Sequence, residues 1–217
     1  MRQALVPVPT EALDRFETIY VEADAANDAA RIPWEQGRPN AALVAWLDHV
    51  APGLVRCGCR IAVVGCGLGH DARELMRRGY EVTAFDISGT AIRWAKKLDP
   101  ENAQCYFRAD VLEPPPRWVH RFDLVVEVNT VQSLPPECRP AMVESIVRLV
   151  GMNGNLLVIC RAAEEGLSEK QDAPWPLTES ELLELASING LQADGIDHFA
   201  DDETPPKRRM RALFHRA

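Results

Sequence analysis

Three glycines, Gly65, Gly67 and Gly69, stand at alternate positions, and Asp86 follows a short distance on in Ile61–Ser88, IAVVGCGLGHDARELMRRGYEVTAFDIS. Glycine lets a backbone turn sharply and lets a ligand approach main-chain atoms closely. An aspartate at the tip of the next strand can accept both hydroxyls of a ribose. Together, residues of these types in this spacing point to a nucleoside-cofactor site.

The elements around them place these residues. Ile61–Val64 is a short, β-branched apolar run that suits a buried strand of a parallel sheet. A helix carrying Ala72, Leu75 and Met76 on one face follows the glycines and stops at Gly79. Glu81–Phe85 is the second strand, and Asp86 stands at its carboxyl end. Upstream, Leu13, Phe16, Ile19 and Tyr20 recur at helical spacing, and Asn40 caps a helix over Ala41–Val50 that Pro52–Gly53 breaks. Downstream, Ser88 caps a helix through Leu98, Gln104–Arg108 reads as a third strand, and Phe122–Val128 as a central one. A helix over Pro140–Val150, a turn at Gly151–Gly154 and a strand over Asn155–Cys160 come next. Thr178 and Glu181 form a capping box for a helix through Ser187, and two strands, Leu191–Phe199 and Arg209–His215, close the chain. Alternating strands and helices imply a parallel sheet covered on both faces. The last two strands are joined too closely for a helical crossover, so they pair antiparallel.

The bulk composition bounds the partners. The chain has 217 residues and a formal net charge of −8, a balance that repels phosphate backbones, so no nucleic-acid partner is expected. The basic cluster Lys207–Arg211 alternates with Met210, Ala212 and Phe214 and reads as an edge strand with a solvated basic face. No apolar run approaches the roughly 20 residues that span a bilayer, and MRQALVPVPTEALDRF lacks the apolar centre of a signal peptide. No membrane association is expected, and the expected location is the cytoplasm. The six cysteines form no CxxC pair and no Cys/His ligand spacing, so free thiols and no metal site are expected.

The whole pattern resembles the class I S-adenosylmethionine-dependent methyltransferases. The glycine stretch, Asp110–Val111, FDLVVEV at Phe122–Val128 and the terminal strand pair fall where that family has them, over about Leu54 to the C-terminus. A dinucleotide-binding dehydrogenase would place its third glycine one position later. IPWEQGRPN, Ile32–Asn40, resembles the Trp-x-x-Gly-Arg-Pro element of the thiopurine and thiol/halide methyltransferase group, and APWPLTESEL, Ala173–Leu182, resembles its proline-rich stretch before the last helix. Cys66, Leu68 and His70 depart from that group. The resemblance implies an α/β, Rossmann-like, doubly wound sheet of seven mostly parallel strands with a C-terminal antiparallel strand. It also implies an N-terminal helical lid, residues 1–53, ahead of a core over residues 54–217 within a single overall domain.

The roles implied are specific. Gly65, Cys66 and Gly67 hold the methionine end of the cofactor, Asp86 the ribose, Ile87 the adenine face, and Asp110 with Val111 the adenine edge. Trp34 covers the sulfonium, where an aromatic face attracts a cation, and Arg38 holds an anionic substrate or seats the lid. Glu127 and Asn129, at the tip of the central strand, line the methyl-transfer site or cap the next turn, Glu127 counting also among the cofactor contacts and Asn129 among the substrate contacts. Trp46 and Trp175 are read as packing residues. Glu35, His70 and Glu127 are the candidate bases, and none has a decisive signature. Thiols already supply some thiolate at neutral pH, so the absence of a clear base favours a sulfur nucleophile. The expected activity is methylation of a small molecule, a thiol first, by a monomer or homodimer that yields S-adenosylhomocysteine. An O- or N-methyltransferase and a non-catalytic S-adenosylmethionine-binding protein are the alternatives.

Overall fold

The computed structural model describes residues 8–163 and 174–216. In chain order the elements are α1 (Thr10–Ala25), α2 (Ala41–His49), α3 (Ala51–Leu54), β1 (Arg60–Val64), α4 (His70–Arg77), β2 (Glu81–Asp86), α5 (Gly89–Leu98), β3 (Tyr106–Arg108), β4 (Phe122–Val128), α6 (Arg139–Val147), β5 (Val150–Arg161), α7 (Glu179–Ile188), β6 (Leu191–Ala200) and β7 (Arg208–Arg216). They build one seven-stranded sheet in the order β3-β2-β1-β4-β5-β7-β6. β1 pairs parallel with β2 and β4, β2 with β3, and β4 with β5, whereas β7 runs antiparallel to both its neighbours. This is the Rossmann-like, mostly parallel arrangement expected from the alternation of elements. Strand order reverses at β1, with β2 on one side and β4 on the other. A crevice therefore opens beyond their carboxyl ends, the place where open α/β sheets receive ligands.

The period-2 pattern of the strands divides the core between the two faces. Ala62, Val64, Val125, Leu156, Val158 and Cys160 pack into one layer with α6 and α7 residues such as Ile146 and Leu182. Ile61, Val63, Leu124, Val126, Leu157 and Ile159 pack into the other with Leu43, Trp46, Leu75 and Ile92. A third cluster, Tyr20, Ala23, Ile32, Leu68 and Ala91, seats α1 beside the start of α4 and α5. Glu17 fastens it there: its carboxylate accepts from Ser88 Oγ at 2.6 Å, Thr90 Oγ1 at 2.6 Å and Thr90 N at 3.2 Å. The bonds satisfy donors at the helix start that have no intrahelical partner.

Several local expectations are corrected. Pro52 and Gly53 lie inside the short helix α3, because a proline in a first helical turn gives up an N–H that would be unpaired anyway. Gly151–Gly154 is not a turn between elements but a bulged part of β5. The register jumps between Phe122 and Leu124, and a side chain at Gly154 would meet the Phe122 carbonyl at 2.8 Å. β7 is not an edge strand; it lies between β5 and β6, and its Arg209 and Arg211 are paired with carboxylates. Arg211 bonds Asp197 Oδ2 at 2.7 Å and the Ala42 carbonyl at 3.0 Å.

The capping box at α7 is half formed. Thr178 Oγ1 accepts from Glu181 N at 3.1 Å, but the Glu181 carboxylate turns to Arg139, at 2.5 Å. Arg139 is fully buried and also bonds the Trp175 carbonyl at 2.7 Å. A buried guanidinium has a stronger claim on a carboxylate than an exposed helix terminus, since leaving it unpaired costs about 3–5 kcal/mol. Trp46 and Trp175 are both buried, as packing residues are. Ala173, the first residue of the proline-rich match, lies outside the described residues. Among the described residues no helix is long and apolar enough to cross a membrane.

Candidate active site

A cavity of about 570 Å³ occupies the crevice. That lies within the roughly 300–1,000 Å³ of small-molecule and cofactor sites. Trp34, Arg38, Gly65, Cys66, Gly67, His70, Asp86, Ile87, Asp110, Val111 and Asn129 all reach its wall, so nearly every residue singled out in the sequence meets there.

The glycine turn is the floor. Gly65 (φ +61°) and Gly67 (φ +51°) hold left-handed backbone, which glycine adopts without the steric cost borne by other residues. The turn is also gripped from both sides. A Cβ on Gly65 would meet Thr130 Oγ1 at 2.6 Å, and one on Gly67 would meet the Tyr20 hydroxyl at 2.8 Å. Asp86, nearly buried, accepts from Gly67 N and from Ser88 N, each at 2.9 Å. Burial pushes its carboxyl above the usual carboxylate range, and the N–H groups of Ser88 and Gly67 offset part of that rise. Asp110 accepts from Leu112 N at 2.8 Å, an aspartate turn that aims the segment after β3 at the cavity. Desolvation at the cavity wall pushes the Cys66 thiol well up, which disfavours the thiolate a nucleophile needs.

The N-terminal segment forms the opposite wall. Trp34 Nε1 donates to the Tyr20 hydroxyl at 3.0 Å, and the indole packs edge-on against Tyr20 and Phe16 at 5.9 and 6.0 Å. Trp34 is still 42% exposed and lines the cavity. Arg38 donates to Asp202 in the β6–β7 loop, tying the segment to the far side of the sheet. Asp71, pushed up to about 6 by burial, accepts from Asn40 N at 2.7 Å and joins α4 to the cap of α2.

The three candidate bases are all engaged. His70 Nδ1 lies 2.6 Å from Arg73 Nη2, which can only donate, so Nδ1 accepts and Nε2 donates to Glu35 Oε1 at 2.9 Å. Neither ring nitrogen keeps a lone pair for a substrate proton. Burial tends to raise the Glu35 carboxyl, but His70 and the Gly37 N–H outweigh it and hold the group below the usual range. Of the two roles expected for Glu127, the contacts fit the cap of the next turn and not the lining of the site. Glu127 does not line the cavity; it sits fully buried on the face shared with Val125, with Oε1 accepting from Val131 N at 2.9 Å and from Thr130 N. The alternation of β4 sends Val128 to the crevice wall and Glu127 beneath it. Burial lifts this carboxyl to about 7, a value suited to a base, but the group cannot reach the cavity. Asn129 does reach the wall, but its Oδ1 accepts from Arg209 Nη1 at 3.1 Å.

The remaining wall was not legible as a site in the sequence. Arg15, Gln132, Ser133, Met142, Arg161, Glu203 and Arg209 are among its residues. The Gln132 side chain accepts from Arg161 N at 2.6 Å, its carbonyl accepts from Trp175 N at 2.9 Å, and the Ser133 carbonyl accepts from Arg15. The available signal was positional: Gln132 and Ser133 follow the tip of β4, and Arg15 precedes Phe16 on a helix already assigned.

Residues 61–154 match the family profile described as a methyltransferase domain. The chain is 30% identical over 178 residues to the 2-heptyl-1-hydroxyquinolin-4(1H)-one methyltransferase of Mycobacteroides abscessus, covering 80% of this chain and 75% of that enzyme. The chain belongs to the class I S-adenosylmethionine-dependent methyltransferases. This methyltransferase is also 29% identical over 129 residues to thiocyanate methyltransferase 1 of Arabidopsis thaliana, but spans only 55% of it. In fold it matches the Burkholderia thailandensis 1,6-didemethyltoxoflavin-N1-methyltransferase with a TM-score of 0.77 at 16% identity, over 100% of this chain and 93% of that one. The cradle of the methyltransferase fits the cofactor of its family. A turn with no side chain at Gly65 or Gly67, braced by Tyr20, Thr130 and Asp86, borders a cavity large enough for an adenosyl group.

Proposed function

We propose that this methyltransferase acts on a small-molecule acceptor and that sulfur is its preferred nucleophile. Bound S-adenosylmethionine supplies an activated methyl on a sulfonium, so the chain's own residues have mainly to align the partners and exclude water. In this reading Gly65, Cys66 and Gly67 hold the methionine end, and the lone pairs of Asp86 that the backbone leaves over accept from the ribose hydroxyls. Ile87 and Val111 pack on the adenine, and Asp110 takes its amino group. Trp34, held at a fixed angle by Tyr20, presents an aromatic face to the sulfonium. The N-terminal segment acts as a lid, and the Arg38–Asp202 pair is its clasp.

The observation that carries the sulfur preference is the engagement of every candidate base. Glu35 and His70 are bonded to each other and Glu127 lies outside the cavity. A phenol or an amine needs its proton removed by a placed group; a thiol with an unperturbed pKa near 8.5 ionises in part by itself. The match to a thiocyanate methyltransferase and the Trp-x-x-Gly-Arg-Pro element, Trp34–Pro39, support the same group. Oxygen methylation is the second reading, favoured by the longer match to the hydroxyquinolone enzyme. A screen with methyl-labelled cofactor against matched aromatic thiols and phenols tests this. Thiol turnover should exceed phenol turnover at pH 7. Equal or greater phenol turnover, with a rate that follows the titration of an enzyme group, would reject the sulfur preference.

A further inference from the structure

The acceptor half of the cavity carries four guanidinium groups, and they are not equivalent. Arg38 is paired with Asp202. Arg209 is surrounded by acceptors: Asp201 Oδ2 at 2.6 Å, Glu203 Oε1 at 2.6 Å and Asn129 Oδ1 at 3.1 Å. Arg161 reaches Glu203 Oε2 only at 3.6 Å, and its buried Nε has no partner among the described residues. Arg15 has no carboxylate partner among the described residues. It donates to the Ser133 carbonyl, and its guanidinium carbon stands 4.8 Å from the Phe16 ring centre and 5.6 Å from that of Trp175.

A guanidinium offers five N–H donors in a planar fork, and among the described residues Arg15 uses one of them on protein. It is half-buried and held between two rings, so its position is set before any ligand arrives. Burying a charge without an opposite charge is costly, and burial indeed lowers the proton affinity of this group. The cavity wall also carries the apolar and aromatic side chains of Phe16, Trp34 and Met142, beside polar Gln132, Ser133 and Glu203. Positive charge with no carboxylate partner among the described residues, on a partly aromatic wall, is complementary to a flat ring bearing one negative charge.

We propose that Arg15, assisted by Arg161, binds the negative charge of an aromatic monoanionic acceptor. The charge is either a ring carboxylate or the ionised nucleophile itself. This inference names the substrate class of the site described above and rests on its reading as a methyl-transfer site.

Calorimetric titration of the protein saturated with S-adenosylhomocysteine tests it. Two pairs of probes are used: benzoate against benzamide, and 4-nitrothiophenolate against 4-nitrothioanisole. The anion of at least one pair should bind about tenfold or more tightly than its neutral counterpart, as a charge-assisted bond allows. Preference in the first pair assigns Arg15 to a carboxylate, and in the second to the nucleophile. Arg15→Gln should abolish the preference while S-adenosylhomocysteine affinity stays within about twofold of wild type; Arg15→Lys should keep part of it, and Arg161→Gln should reduce it. Wild type that binds S-adenosylhomocysteine but not the anions, or binds anion and neutral probe alike, overturns the inference alone. So does an Arg15→Gln protein that keeps the preference. Wild type that fails to bind S-adenosylhomocysteine overturns the methyl-transfer reading and this inference with it.

Discussion

The backbone N–H of Gly67 donates to Asp86 Oδ2 at 2.9 Å, and the other oxygen of the same carboxylate takes the N–H of Ser88. One side chain thus braces the glycine turn and sets the start of α5 while facing the cavity. Asp86→Ala should therefore lower both affinity and stability: S-adenosylhomocysteine binding by about tenfold or more, as expected for losing bonds to a charged group, and the melting temperature by several degrees. Asp86→Asn keeps one acceptor oxygen and should lose affinity with a smaller drop in melting temperature. Calorimetry and thermal unfolding separate the two. An Asp86→Ala protein with wild-type affinity would remove the carboxylate from the cofactor site.

Gly65→Ala places a methyl group 2.6 Å from Thr130 Oγ1 at a residue with φ +61°. The left-handed backbone alone costs roughly 1–2 kcal/mol. Thr130 is held by the Val64 carbonyl at 3.2 Å and by Glu127, so it cannot simply step aside. The variant should unfold earlier in urea and bind S-adenosylhomocysteine at least about tenfold more weakly, that is, by more than about 1.4 kcal/mol. The double variant Gly65→Ala/Thr130→Ala should recover part of the affinity, because the collision is gone while the backbone strain remains.

Glu127 makes stability depend on pH. Its folded value, about 7, lies above the 4.5 of a free glutamate. The folded state therefore binds more protons than the unfolded state between those values, and this group's contribution to stability falls as pH rises from about 4.5 through about 7. The full effect is on the order of 3 kcal/mol. Denaturant melts at pH 5 and pH 8 should show Glu127→Gln gaining on wild type at the higher pH. A constant difference between the two proteins across that range would place the titration elsewhere.

The Arg38–Asp202 pair is about half exposed on both sides, 49% and 55%. Its stabilising energy should be small, within about 1 kcal/mol, and screened by salt. Its kinetic role is larger if it clasps the N-terminal segment over the cavity. Arg38→Ala and Asp202→Ala should each raise KM for the cofactor severalfold with little change in melting temperature, and the double variant should add nothing further. At 1 M salt the wild type should approach the variants. Additive effects of the two substitutions would show that the residues act separately.

Much of the fold was legible because its signals are local. The β-branched runs of β1 and β4 and the caps Asn40 and Ser88 each declare an element within a few residues, and Asn40 and Ser88 do accept from the helix N–H groups assigned to them. What misled was context. The basic residues of β7 look solvated in sequence, but their partners, Asp201, Glu203 and Asp197, sit on a loop and a neighbouring strand. Glu181 completes a capping box in one dimension and answers Arg139 in three.

By itself the amino-acid order determined the glycine turn, the acid at the next strand tip and the alternation that builds the sheet, because each depends on backbone sterics and periodicity over a short span. Only the tertiary structure decided which side chains face the cavity with capacity to spare. It buried Glu127 within one face of the sheet, locked His70 between Arg73 and Glu35, and, among the described residues, left Arg15 with rings rather than a carboxylate for company. The reason is that availability is a property of neighbours. A side chain's type can be read from one position, but whether its charge or lone pair is already taken depends on residues that meet it only after the chain has folded.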